Sequence, residues 1–261
     1  MITSFFKTSK PIHYIIFSIV LVSLFFYQRI FVSSFEGNLL NYLKEVACLF
    51  VVIASFFTLI FIVTKNHLTQ NNSFAALFFC LFMGVFPQIL DYTSTLIANL
   101  FILLSLRRIV SLKNKINIKK KILDATLWIC LATLFDSFSF FFFVPLAISL
   151  ALYSVFEIKN ILIPFFGVFA FVVLWTSFSL VAHDQLPNIN EYLPSLSFEV
   201  HDFIFHKNTV FSLFTATLLI IGIMNYFFSG FFQNRFNRSS IVLLIFIIAA
   251  GFTAFLCSPT E

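Results

Sequence analysis

Of the 261 residues, 60% are hydrophobic and only 10% are charged, a balance that excludes a water-soluble domain of ordinary surface composition. The chain needs lipid as its solvent. Its net charge of +5 does not make it a nucleic-acid binder, because the positive groups are separated by apolar spans and no soluble basic domain is left to hold a duplex.

A helix needs about 20 mostly apolar residues to cross a hydrocarbon core about 30 Å thick. In chain order, the segments that approach this are 14–32, 46–63, 74–90, 93–110, 122–135, 138–156, 161–182, 209–228 and 241–257. The first follows Lys7 and Lys10 but carries no small-residue cleavage pattern, so it reads as a retained helix and not as a signal peptide. The fifth and sixth are separated only by Asp136 and Ser137 and read as two tightly joined spans. The fold class expected is therefore all-α: a polytopic transmembrane helix bundle of about nine spans, forming one transmembrane domain over 1–261.

Charge placement fixes the expected orientation. With the N-terminus cytoplasmic, Lys7, Lys10, Lys65, Arg107, Arg108, Lys113, Lys115, Lys119, Lys120, Lys121, Lys159, Arg235 and Arg238 all fall inside, as the positive-inside rule requires. Outside fall Arg29, Lys44 and Lys207 with most of the acids, and only Asp124 and Glu157 remain inside. The 42 phenylalanines suit lipid-facing surfaces, and no aromatic cofactor box is read from them.

Two connections have character. Residues 107–121, RRIVSLKNKINIKKK, hold seven basic groups and no acid, with Ile109, Leu112 and Ile116 forming one apolar stripe if helical. Arg107, Arg108, Lys119, Lys120 and Lys121 are thus expected to contact the inner leaflet and its lipids. Residues 183–208 form the one external connection long enough to cover a cavity, with a lid-like element expected around Ser195–Phe205.

Ionisable groups at membrane depth are costly and are functional candidates by default. Gln28 and Arg29 close the first span, Gln88 and Asp91 follow Pro87, and Asp136 sits in the tightest connection. With Glu36, His183, Asp184 and His201 they are candidates to line one external cavity. Asp91 and Asp136 stand out as catalytic candidates, since their connections are too short to lift them far from the membrane. A carboxylate held there suits a general base toward an acceptor hydroxyl, or a ligand for a cation carrying phosphate. Arg29, Glu36, Gln88, His183, Asp184 and His201 are the expected substrate contacts. Asn99, Thr126 and Ser137 are explained by hydrogen bonds between helices.

Metal and cofactor signatures are lacking. Cys48, Cys80, Cys130 and Cys257 lie far apart with no CxxC pair, and His201, Asp202 and His206 lack an HExxH context. No metal and no cofactor is expected. There is also no GxxxxGKS/T phosphate loop and no GxSxG elbow, so ATP-driven transport by this chain alone is not expected.

The opening MITSFFKTSKPIHY and the stretch NLFILLSLRRIVSLKNKINIKKKILDATLWICLATLF resemble an uncharacterised family of bacterial multi-pass membrane proteins. The resemblance runs along most of the chain and implies an all-helical inner-membrane protein; members of that family continue with further apolar segments, whereas this sequence stops at Glu261. A more distant likeness is to the polytopic glycosyltransferases that use lipid-linked sugars. Their hallmark is a pair of acids in the first external loop, where this chain has Glu36 and, later, Glu45 beside the next span. That likeness implies a component of cell-envelope biogenesis handling a lipid-linked glycan on the outer face. A non-enzymatic membrane subunit or scaffold, contacting lipids and other membrane subunits, and a small-solute permease are the other two classes the residues leave open.

Overall fold

The computed structural model describes residues 6, 10–32, 39–68, 72–153, 157–184, 186 and 187, and single positions at 217, 221, 224, 247 and 248. Among them the chain is helical, with no strand. The elements are α1 (Pro11–Tyr27), continued by a π-helical turn Gln28–Val32; α2 (Leu39–Lys65); α3 (Phe74–Val85), followed by a 3₁₀ turn Pro87–Asp91; α4 (Thr93–Ser111), closed by a 3₁₀ turn Leu112–Asn114; α5 (Ile118–Phe135), followed by a 3₁₀ turn Ser137–Phe142; α6 (Phe143–Leu152); and α7 (Ile158–His183).

Among the described residues, four helical stretches are long and apolar enough to cross a membrane: Pro11–Phe31, Leu39–Lys65, Thr93–Asn114 and Ile158–Ala182. Phe74–Val85 and Ser137–Leu152 are apolar but shorter, and Lys119, Lys120, Lys121 and Asp124 lower the apolar character of α5. The expected segments 14–32 through 161–182 each coincide with a helix, whereas 209–228 and 241–257 lie outside the described residues. Phe135 and Phe143 belong to separate helices, with the chain breaking at Asp136, so that connection joins two helices and is not a kink in one.

The first helix shows the pattern: it buries a narrow stripe and leaves the rest apolar and outward. On α1 the buried positions are His13, Phe17, Leu21 and Phe25, and Gln28 extends the row into the π turn, the three-to-four-residue spacing of one helix face. Ile12, Ile15, Ile16 and Ile19 point away from it. Such an exterior is unfavourable in water and natural in hydrocarbon.

Two cores result. Phe17, Leu21, Phe25, Val52, Phe56, Cys80, Met83, Leu90 and Leu96 form one, from α1 to the start of α4. Ile109, Val110, Leu112, Ile122, Ile129, Leu146, Leu150 and Tyr153 form the other, from the end of α4 to α6. Helix α4 therefore joins the halves, contributing Leu96 to the first and Ile109 to the second. Small residues sit where helices approach, among them Ala98, Ser105, Ala125 and Ala132, the packing used between helices in lipid, where burial from water supplies no drive. The serine and threonine hydroxyls are largely satisfied within their own helices. Thr126 is one of these: its hydroxyl donates to Ile122 O at 2.9 Å, so the helix-to-helix bond expected of it is not made.

Candidate functional site

Helices α1 to α5 run alternately up and down, as their end-to-end contacts show. Arg29, past the end of α1, meets Glu45 near the start of α2 and Asp91 just before α4. At the opposite end, His13 at the start of α1 meets Ser73 at the start of α3, and Arg108 at the end of α4 meets Asp124 near the start of α5. The bundle thus has an acidic end and a basic end.

At the acidic end the side chains converge on Arg29. Its Nε lies 2.7 Å from Glu45 Oε2 and its Nη1 lies 3.2 Å from Asp91 Oδ1. Nη2 donates to Leu90 O at 3.1 Å, and the Phe25 ring lies under the guanidinium, 5.5 Å from centroid to Cζ. Gln28 is buried to 1% exposure, and its Nε2 donates to Asp91 Oδ2 at 2.6 Å. Only 13% of the Arg29 side chain is exposed, so these contacts are made largely out of water. Two carboxylates face one guanidinium, leaving the group with one net negative charge.

Local structure explains the convergence. The π turn at Gln28–Val32 widens the end of α1, a device common where a helix carries function. Pro87 starts the 3₁₀ turn that delivers Asp91, with its missing N–H placed where no helical bond is needed. Cys48, one turn after Glu45, donates its thiol to Thr93 Oγ1 at 3.7 Å, tying α2 to the start of α4 beside the ion pairs.

Asp136 stands apart. Its Oδ1 accepts from Phe138 N at 3.2 Å, capping the 3₁₀ turn. Burial pushes its carboxyl above the ordinary range, and the bonds from the Phe138 backbone and the Ser139 hydroxyl pull partly the other way. Arg108 to Asp124 at 2.9 Å and Lys121 Nζ to Ser111 O at 2.6 Å hold α4 antiparallel to α5, so Asp136 at the end of α5 lies toward the same end of the bundle as the start of α4.

The other expected substrate contacts divide. Gln88 is on the acidic-end turn but exposed, and it is the buried Gln28 that reaches Asp91. His183 ends α7, and Asp184 follows it in a left-handed conformation, φ 52°, its N–H closing on Leu180 O; it is exposed. Glu36, His201 and the lid expected around Ser195–Phe205 lie outside the described residues.

The basic segment 107–121 is not one interfacial helix. Arg107 and Arg108 belong to α4, Lys119, Lys120 and Lys121 to α5, and the left-handed residues Lys115 and Asn117 turn the chain between them. The apolar stripe is broken accordingly: Ile109 and Leu112 are fully buried in the core, while Ile116 is 65% exposed. Arg107, Arg108 and Lys121 make contacts inside the protein, and Lys119 and Lys120 are exposed.

Sequence reasoning passed over Glu45 as a partner of Arg29, and it passed over the buried pair of His13 Nδ1 and Ser73 Oγ, 3.0 Å apart. The signal for the second was a histidine inside the first apolar turn. No family model, curated protein or solved structure matches this chain.

Proposed function

We propose that the chain is a polytopic protein of a bacterial inner membrane, with about nine spans and a cytoplasmic N-terminus, that handles a lipid-linked glycan in cell-envelope biogenesis at its acidic end. The observation that supports this reading is the gathering of Gln28, Arg29, Glu45 and Asp91 at one end of an otherwise apolar bundle, with Asp136 closing α5 toward the same end. Charged groups at membrane depth are retained against their cost where they serve function.

The roles differ between the two aspartates. Asp136 is the group suited to take a proton from an acceptor hydroxyl, because desolvation raises its basicity. Asp91, with both oxygens engaged by Gln28 and Arg29, acts as a positioning residue that holds the first and fourth helices in register. Arg29 already engages each of its three nitrogens with Glu45, Asp91 and Leu90 O, so a substrate anion meets a guanidinium that is shared with the protein.

The test is substitution in cells that depend on this protein. Asp136→Asn is expected to abolish the glycan product while the protein remains folded in the membrane, and Asp91→Asn to reduce it. Unchanged envelope glycans and growth in both variants, and in the double variant, would sink the reading.

A second reading, a non-enzymatic subunit, draws on α7. Its Phe165, Phe166, Phe169 and Val181 point outward, a surface a partner helix could cover as well as lipid. A monomer on sizing after mild detergent extraction counts against it.

A further inference from the structure

The basic end carries a second feature, built on Phe61. Lys65 Nζ lies 5.0 Å from the centre of the Phe61 ring and Arg107 Cζ lies 4.6 Å from it. Two cations from neighbouring helices, α2 and α4, therefore share one aromatic ring. Both lie within a Debye length of each other, about 10 Å in dilute salt, so they repel. The ring quadrupole attracts each of them but neutralises neither.

Carboxylates are scarce here. The sequence holds no acid between Glu45 and Asp91 or between Asp91 and Asp124. Asp124 is engaged with Arg108 at 2.9 Å, and Glu157 stands exposed at the start of α7. Lys121 spans back to cap Ser111 O at 2.6 Å; burial first, then the charges of Arg108 and Lys65, hold its ammonium below the ordinary lysine range. Among the described residues, Lys65, Arg107, Arg108 and Lys121 thus make one positive field in which Asp124 is the carboxylate engaged.

We propose that Lys65 and Arg107, fixed over Phe61, bind the phosphate of an anionic phospholipid headgroup at this end of the bundle. An anion between the two cations removes their repulsion, and the Arg107 fork suits phosphate oxygens. The exposed Phe61 ring that the pair shares is placed to meet acyl chains. This inference rests on the chain spanning a membrane and not on any activity at the acidic end.

Native mass spectrometry of the full chain in detergent tests it, with phosphatidylglycerol and phosphatidylcholine of identical acyl chains offered in equal amounts. The wild type is expected to retain phosphatidylglycerol about tenfold over phosphatidylcholine, the scale of one to two basic contacts. K65Q/R107Q is expected to lose that preference, while K119Q/K120Q, which removes as much charge from exposed positions, and D91N/D136N are expected to keep it. Should K65Q/R107Q fail to fold, K65Q alone, at an exposed helix end, is expected to weaken the preference. No preference in the wild type overturns the proposal. So does an equal loss in K119Q/K120Q, which indicates diffuse charge, or an unchanged preference in K65Q. Displacement of the lipid by millimolar inorganic phosphate reassigns the site to free phosphate and overturns the lipid assignment. Carbonate extraction reports separately whether the chain spans a membrane at all.

Discussion

Arg29 Nη1 lies 3.2 Å from Asp91 Oδ1, joining the π turn after the first helix to the 3₁₀ turn before the fourth. Glu45 closes on the same guanidinium from α2, so one cation ties three helices together at the end where each leaves the bundle.

Removing that cation leaves two partly buried carboxylates facing each other. Arg29→Gln is expected to lower stability by about 2 kcal/mol, the cost of leaving charged partners unpaired, read as a fall in melting temperature in detergent. Adding Asp91→Asn is expected to recover part of the loss, because it removes one of the stranded charges. Strictly additive losses in the double variant would show that the pair does not interact energetically.

Asp136 gives a pH signature of defined sign. Its folded carboxyl titrates above the unfolded value because of burial, so the folded state holds the proton more tightly. The protonated form then favours folding, and this contribution is lost as pH rises through the window between the unfolded and the raised folded pKa. Melting temperature measured from acid to neutral pH should decline through that window in the wild type and stay flatter in Asp136→Asn. Asparagine keeps the oxygen that accepts from Phe138 N, whereas Asp136→Ala loses it, at about 1 kcal/mol. A wild-type curve that rises with pH over the same window would refute the assigned direction.

Gly167 marks the crossing of α7 over α5. A Cβ there would lie 2.9 Å from Thr126 Cγ2 and 3.3 Å from Leu123 Cδ1. The Thr126 hydroxyl is bonded to Ile122 O, which pins the rotamer and keeps the methyl from swinging clear. Gly167→Ala is expected to cost about 1–3 kcal/mol through overpacking, and Thr126→Ser, which deletes that methyl, to restore most of it. A Gly167→Ala protein as stable as the parent means the helices separate freely at this point.

Much of this was legible in the sequence. Hydrophobic length located helices at the first seven expected segments, and the placement of Lys and Arg anticipated which helix ends share a side. Asp91 and Asp136 stood out because short connections hold them near the bundle. What the sequence withheld were the pairings. Glu45 looked like a loop residue beside a span at 46–63, but α2 begins at Leu39, which makes Glu45 part of a rigid helix facing Arg29. Gln88 and Gln28 are chemically identical; a 3₁₀ turn carries the first outward and a π turn carries the second inward, and no periodicity rule distinguishes them. Contacts across sixty residues, such as Arg29 to Asp91, depend on helix packing and leave no local trace.

The most direct test of the central claim, a membrane bundle with its acidic end outside, is cysteine labelling in intact cells. In a variant lacking Cys48, Cys80, Cys130 and Cys257, single cysteines replace the exposed Tyr92 and Asp184 at one end and the exposed Lys115 and Lys120 at the other. An impermeant reagent is expected to label the first two, and to reach the second two only after the cells are opened. Labelling of Lys115→Cys and Lys120→Cys from outside, with Tyr92→Cys and Asp184→Cys protected, would invert the map and contradict the proposed site.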